Sequence, residues 1–240
     1  MAVACQSLAQ EMGIVYMCGL THSNDTTMKD RRRYGFRHFF NAYMSGQALA
    51  PILAEEYGKD RRAYHLTADY TWGWTQEESL KNATEKLGWS TVKAVRTPLG
   101  AGDAVKGILG TANWHWTLED EATKAFTKSF GQEYGEPPSQ AAHTCYVQAL
   151  LYANACEKAG TFHPPEVIKT LEGFKFDGMG NGPTEYRAGD HQCFKDVLVM
   201  RGVDKPANKF SLLEVVKVVP RTQVEYPASM GGGELGPYEV

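Results

Sequence analysis

Residues 59–75 read Lys59-Asp60-Arg61-Arg62-Ala63-Tyr64-His65-Leu66-Thr67-Ala68-Asp69-Tyr70-Thr71-Trp72-Gly73-Trp74-Thr75. A short apolar run, Ala63 to Thr67, stands directly before a segment holding Tyr70, Trp72 and Trp74, and a helical pattern follows. Strand, loop and helix in that order build an α/β sheet, and such sheets bind small molecules where their strands end. The three aromatics are therefore candidates for a ligand platform. The alternative is that Trp72 and Trp74 fill a core or an interface, where aromatic side chains bury the most area.

Outward from this stretch the same alternation continues. Downstream, Thr75-Gln76-Glu77-Glu78 has the form of a capping box, Leu80, Ala83 and Leu87 run to Gly88, and Thr91 to Val95 alternates as a strand. Upstream, Ser45 is placed to cap a helix with the stripe Ala48, Leu49, Ile52 and Leu53, ending at Gly58, with Pro51 bending it or marking its start. Earlier still, Cys5, Leu8, Ala9 and Met12 keep helical spacing, Gly13 stops that helix, and Ile14 to Met17 reads as a short strand. After Gly19 comes the polar loop Thr21-His22-Ser23-Asn24-Asp25-Thr26-Thr27, whose hydroxyls and amides can bond a ligand or their own backbone. Short buried strands alternating with helices, without hairpin turns, argue for parallel sheet covered by helices, so the class is α/β.

At Asp103 the pattern breaks. Gly102-Asp103 should open a helix, yet Ala104-Val105-Lys106 is followed at once by Gly107 and a new strand-like run. The second half opens helical: Thr117 caps a helix with Ala122, Phe126 and Phe130 on one face; Ser139 begins one carrying Ala142, Tyr146, Leu150 and Ala153; Pro164-Pro165 opens a third with Val167, Ile168 and Leu171. Gly178 to Gly189 is a turn-rich loop, Phe194 to Arg201 and Phe210 to Val219 are strand-like, and the tail from Tyr226 with Gly231-Gly232-Gly233 reads as flexible or loosely docked.

Composition excludes several classes. The 42% hydrophobic and 22% charged content of this 240-residue chain is that of a packed globular protein, in one large domain or two lobes. A formal net charge of -3 gives no basis for a nucleic-acid partner, and the one basic cluster, Lys29 with Arg31, Arg32 and Arg33, reads as a solvated loop face. Five cysteines without a C-x-x-C pair indicate neither zinc ribbon nor disulfide scaffold, and neither His143 with Cys145 nor the single histidine of Trp114-His115-Trp116 has a metal-site spacing. No apolar run reaches membrane-spanning length, and Met1 to Ala9 lacks the basic start and apolar stretch of a signal peptide. No G-x-S-x-G elbow, P-loop or dinucleotide fingerprint occurs; Gly178-Met179-Gly180-Asn181-Gly182 has the content of a phosphate loop but precedes no helix. Glu119, Asp120 and Glu121 fit the first turn of a helix, where its dipole favours them. Without a nucleophile and base, a non-enzymatic, cofactor-free binding role leads.

The loop at 69–75 and the segment Gly182-Pro183-Thr184-Glu185-Tyr186, with Gly19 to Asp30, Arg33 to Leu53, Pro138 to Leu151 and Gly182 to Val199, resemble the substrate-binding proteins of ABC transporters for branched-chain amino acids and amides. The resemblance, running through most of the chain, implies a type I periplasmic binding protein fold of the leucine-binding kind. In it two α/β lobes joined by crossing segments close on a ligand like a hinged trap. It places lobe 1 at 1–43 and 113–180 and lobe 2 at 44–112 and 181–240. Position by position, it implies that Gly19 and Thr21 hold the ligand carboxylate with His22 and Ser23 adjacent, that Trp72 is the aromatic set against the ligand with Asp69, Tyr70 and Trp74 beside it, and that Ala142 and His143 form a pocket edge. It further implies a small-molecule ligand, the membrane permease of an importer as partner, and a periplasmic or cell-surface location.

Two departures mark the chain as a shortened relative. The family begins with strand-helix units ahead of position 1, including a serine-rich ligand loop, and carries further strands and helices between positions equivalent to Asp103 and Gly107, including the acidic residue that would hold an amino group. An amide, urea or aromatic acid could be held by hydroxyls and Trp72 without that acid. Loss of these units should expose sheet edges and favour self-association. A ligand-sensing domain of a regulator and a flavodoxin-like enzyme stand as alternatives, the latter needing a titratable pair in one cleft.

Overall fold

The structure, a computed structural model, describes residues 1–97, 107–177 and 179–239; the helix-start signal at Asp103 and Gly178 of the glycine-rich loop lie outside the described residues. In chain order the elements are α1 (Ala2–Met12), β1 (Tyr16–Cys18), β2 (Gly35–Arg37), α2 (Ala42–Tyr57), β3 (Arg62–Ala68), α3 (Thr71–Glu85), β4 (Ser90–Thr97), β5 (Leu109–Ala112), α4 (Glu121–Tyr134), α5 (Gln140–Ala159), α6 (Pro164–Leu171), β6 (Lys175–Phe176), β7 (Thr184–Tyr186), β8 (Cys193–Phe194), β9 (Val197–Gly202), β10 (Leu213–Val219) and α7 (Arg221–Val224). They form two compact units, the first of Met1–Phe40, Asn113–Asp196 and Tyr226–Val240, the second of Asn41–Ala112 and Val197–Glu225.

In the first unit β1 and β2 pair in parallel, and β6, β7 and β8 form a small antiparallel sheet. The core gathers Tyr34 and Phe36 from β2 and its approach, Val147, Leu151 and Ala155 from α5, Val167, Ile168 and Leu171 from α6, and Tyr186 from β7. Each large apolar side chain fully buried there contributes on the order of 2 kcal/mol. The buried stripe of α5 is His143, Thr144, Val147, Gln148, Leu151 and Ala155, one position out of phase with the stripe drawn from Ala142, Tyr146, Leu150 and Ala153. Tyr146 is 46% exposed. The phase is hidden in the sequence because the first turns of the true stripe are polar.

The tail is not loose. Tyr226 is buried, Arg31 donates to Ala228 O at 2.9 Å, Arg33 donates to Gly236 O at 3.0 Å, and Tyr238 Oη donates to Glu172 Oε2 at 2.5 Å. Arg33 also pairs with Glu172 Oε1 at 2.6 Å. The cluster expected to be a solvated face thus holds the C-terminal segment onto this unit. Gly231 and Gly233 are required by that docking, since a Cβ on either would come within 2.5 Å of the backbone of Met28 or Lys29.

A second polar network crosses this unit's interior. Lys195 Nζ lies 3.2 Å from His38 Nε2, and His38 Nδ1 lies 2.9 Å from the Tyr186 hydroxyl, all three side chains being buried. Burial first, then the Lys195 charge, hold His38 well below its ordinary pKa, so it is neutral; it accepts from Lys195 and donates through Nδ1 to Tyr186.

In the second unit β3 and β4 pair in parallel from Arg62↔Ser90 to Ala68↔Thr97, and β9 pairs antiparallel with both β5 and β10. Helix α2 runs through Pro51, and its cap is Asn41, whose Oδ1 accepts from Met44 N at 3.0 Å. Ser45 lies inside the helix, its hydroxyl 2.8 Å from that of Thr111. Close approach of α2 to α3 needs Gly46, where a Cβ would meet the Ser79 backbone at 2.8 Å. Among the described residues β3 and β4 have no third strand, and Tyr64, Leu66 and Val92 are exposed at 60%, 69% and 52%.

Candidate functional site

In the first unit, β1 ends at Cys18 and the chain turns through Gly19 and exposed Leu20 into the half-buried segment 21–23. Gly19 packs on α5: a Cβ there would lie 2.9 Å from Gln148 Oε1 and 3.7 Å from Thr144 Cγ2. Thr21 Oγ1 is buried and makes no hydrogen bond to nitrogen or oxygen among the described residues. It stands beside the Cys18 thiol, which burial pushes up to about 11 against the lowering influences of Arg37, Tyr16 and Thr21. His22 is set edge-on against Phe39 at 4.4 Å and tilted against Phe40 at 4.9 Å. Burial and then the Arg37 charge lower its pKa to about 4, so it is neutral at physiological pH. Ser23 caps the following 3-10 turn, its Oγ accepting from Asp25 N at 3.3 Å.

Beneath this loop lies Arg37, fully buried. Its guanidinium donates to Ser23 O, to Thr27 Oγ1 and, through Nε at 2.8 Å, to Gln192 Oε1, so its donors are met by neutral acceptors. Asp190 acts on its charge without forming an ion pair among the described residues, and that positive charge also acts on the loop above, in a medium that screens poorly. The arrangement favours an anion against the Gly19–Ser23 segment.

Sequence reading missed Gln148, which neighbours this loop at Gly19, and Asn113, which neighbours Thr144 of α5. Asn113 Nδ2 lies 3.5 Å from Thr144 Oγ1, while Asn113 Oδ1 and Gln148 Nε2 are buried with no hydrogen bond among the described residues. Lone amides carry no spacing signal, and only the α5 phase could have pointed to Gln148.

Ala142 and His143 sit in the first turn of α5. The Ala142 amide is occupied by the Ser139 cap at 3.2 Å. His143 is buried, stacks on Trp114 at 4.2 Å and 3°, and bonds Met179 O through Nε2 at 2.7 Å. Its ring lines a cleft between α4 and α5 whose walls include none of residues 19–23.

In the second unit the aromatic segment is the first turn of a helix and not a loop. Helix α3 begins at Thr71, four residues ahead of the expected capping box, and Thr75 Oγ1 donates to Trp72 O at 3.1 Å. Gly73 permits the early start, because a Cβ there would lie 2.0 Å from Ala68 O. The Trp74 indole donates to Asp69 Oδ1 at 2.9 Å, with Arg96 over its ring at 5.8 Å, which gives Asp69 and Trp74 a tethering role. Tyr70 and Trp72 stand edge to face at 5.9 Å. A larger cavity of about 720 Å³ in this unit, walled by Leu53, Tyr57, Tyr64, His65, Leu80 and Trp89, excludes residues 69–74.

Among the described residues no cluster of three or more His, Cys, Asp or Glu could hold a metal ion, and no helix is long and apolar enough to cross a membrane.

No curated protein matches this chain. Among solved structures, a periplasmic binding protein from Burkholderia mallei is similar at 17% identity and a TM-score of 0.85, over 98% of this chain and 77% of that one. An amino acid ABC transporter substrate-binding protein from Pseudomonas fluorescens Pf-5 is similar at 18% identity and 0.84, over 98% and 78%. A solute-binding protein of an ABC transporter from Rhodopseudomonas palustris BisB5, solved with 3,4-dihydroxybenzoic acid, is similar at 15% identity and 0.77, over 91% and 75%. These likenesses fix the fold as that of type I periplasmic binding proteins. A family model described as periplasmic binding protein matches residues 1–106 and 100–207, most of the sequence, and the chain belongs to the periplasmic binding protein family.

Proposed function

We propose that this protein is the extracytoplasmic solute-binding component of an ABC importer, taking a branched-chain amino acid, an amide or urea, or a related small carboxylate. Gly19, Thr21, His22 and Ser23 contact the solute's acidic or carbonyl end, and Trp72 with Tyr70 packs against its remainder. The observation that carries the reading is the Gly19–Ser23 loop lying over buried Arg37, with the Thr21 hydroxyl meeting no nitrogen or oxygen partner among the described residues, in a chain of this family. A carboxylate gains from that fixed charge and from the hydroxyl, while neutral His22 adds no charge of its own.

The role is binding and release, with no bond made or broken, and the membrane permease of the importer is the partner that receives the solute. The location that follows is the periplasm or the outer cell surface. Isothermal titration with leucine, acetamide, urea and benzoate tests the reading. Saturable heat with one of them is expected, and the absence of heat with all four would overturn it.

A further inference from the structure

Helices α4 and α5 enclose a second cleft in the first unit, of about 370 Å³, with Phe126, Phe130, Tyr134, Tyr146, Met179 and His143 among its walls. That is near the lower end of ligand-pocket volumes, room for one ring. Four of those walls are aromatic rings in a continuous series: Tyr146 stacks on Phe126 at 4.7 Å and 25°, Phe126 meets Phe130 at 5.8 Å, and Phe130 meets Tyr134 at 4.4 Å.

His143 supplies the polar end. It is 2% exposed, and Trp114 covers one of its faces. Its Nε2 donates to Met179 O at 2.7 Å, and a neutral imidazole carries one proton, so Nδ1 presents a lone pair. Burial and then the Lys195 charge lower the pKa to about 4, so this neutral form is the one present at pH 7. That Nδ1 is buried and makes no hydrogen bond among the described residues. A buried acceptor left unmet costs on the order of 1–3 kcal/mol, and a donor entering the cleft would recover it. Glu133 at the wall disfavours an anionic ring.

We propose that the α4–α5 cleft is a binding site for a small neutral aromatic hydrogen-bond donor of the phenol class, its ring among Phe126, Phe130 and Tyr146 and its hydroxyl donating to His143 Nδ1. The site does not use residues 19–23 or 69–74, so it stands independently of the transport reading.

The test uses the whole chain labelled at its methionine methyl groups, with the Met179 signal assigned through Met179→Leu, and titrates 4-methylphenol, toluene and benzoate by NMR. 4-Methylphenol should shift the Met179 signal saturably and bind at least tenfold more tightly than toluene or benzoate. His143→Phe, which keeps a ring in the wall, should abolish the preference for 4-methylphenol over toluene. No shift of Met179 at millimolar 4-methylphenol, or equal affinity for toluene, would overturn the proposal. The comparison of the three probes on the unsubstituted protein decides this even if the variant does not fold.

Discussion

Glu172 holds the C-terminal segment, and Glu172→Gln measures how much that docking stabilises the first unit. The carboxylate accepts from Arg33 at 2.6 Å, from His191 Nε2 at 2.9 Å and from Tyr238 at 2.5 Å. Burial raises its pKa, but hydrogen bonds from His191, Tyr238 and Arg33 outweigh burial and bring it from 4.5 to about 2. That gap corresponds to about 3 kcal/mol, which solvent at the partly open rim reduces to about 2. The folded pKa is depressed, so the stabilisation is complete above the unfolded value of 4.5 and is lost as pH falls toward 2. At pH 3 less than half of it remains, by the same linkage arithmetic (~40%). Glutamine keeps one acceptor and cannot titrate. Thermal unfolding followed by circular dichroism should place the variant about 4–8 °C below the unsubstituted protein at pH 6, with the gap less than half as wide at pH 3. Limited proteolysis at pH 6 should cut the variant faster between residues 226 and 239. A gap under 1 °C at pH 6, or one that widens at pH 3, would refute the role given to the tail.

Other expectations follow from single positions. Gly73→Ala pushes a Cβ to 2.0 Å from Ala68 O, so it should destabilise the second unit by about 3 kcal/mol in denaturant titrations, whereas Thr71→Ala should cost well under 1. Lys195, pushed down to about 8 by burial, binds its proton less well folded than unfolded, so stability should rise as pH goes from 8 toward 10.5. Lys195→Met should flatten that rise, and a rise as steep in the variant as in the unsubstituted protein would contradict the reading. Leu66, 69% exposed on a sheet that has two strands among the described residues, should drive self-association, so sedimentation of Leu66→Thr should give more monomer than the unsubstituted chain at equal concentration.

The fold was legible because its signals were strong and local. Gly13 and Gly58 end α1 and α2, Ser139 caps α5 as its hydroxyl position suggests, and Pro164-Pro165 opens α6. Positions decided by long-range contact were not legible. Asn41 outcompeted Ser45 as cap because Ser45 is drawn inward to Thr111, and α3 began early because Gly73 let the helix close against Ala68. The same limit applies to the site. Thr21 and Trp72 are proposed from their order along the chain, whereas buried Arg37 beneath the loop and Gln148 behind it become neighbours of Gly19–Ser23 only on folding. The basic cluster at 31–33 looked like solvent-facing charge because its acceptors lie some two hundred residues away, at Ala228 and Gly236.

The central proposal is that Thr21 and Trp72 each contact the solute. The most direct measurement is isothermal titration, with the best solute from the leucine, acetamide, urea and benzoate set, of the unsubstituted protein, Thr21→Val and Trp72→Ala. A lost hydroxyl contact and a lost aromatic wall are each worth about 1–2 kcal/mol, so each substitution should weaken binding by roughly tenfold. Unchanged affinity in both variants, with both folded by circular dichroism, would contradict the account.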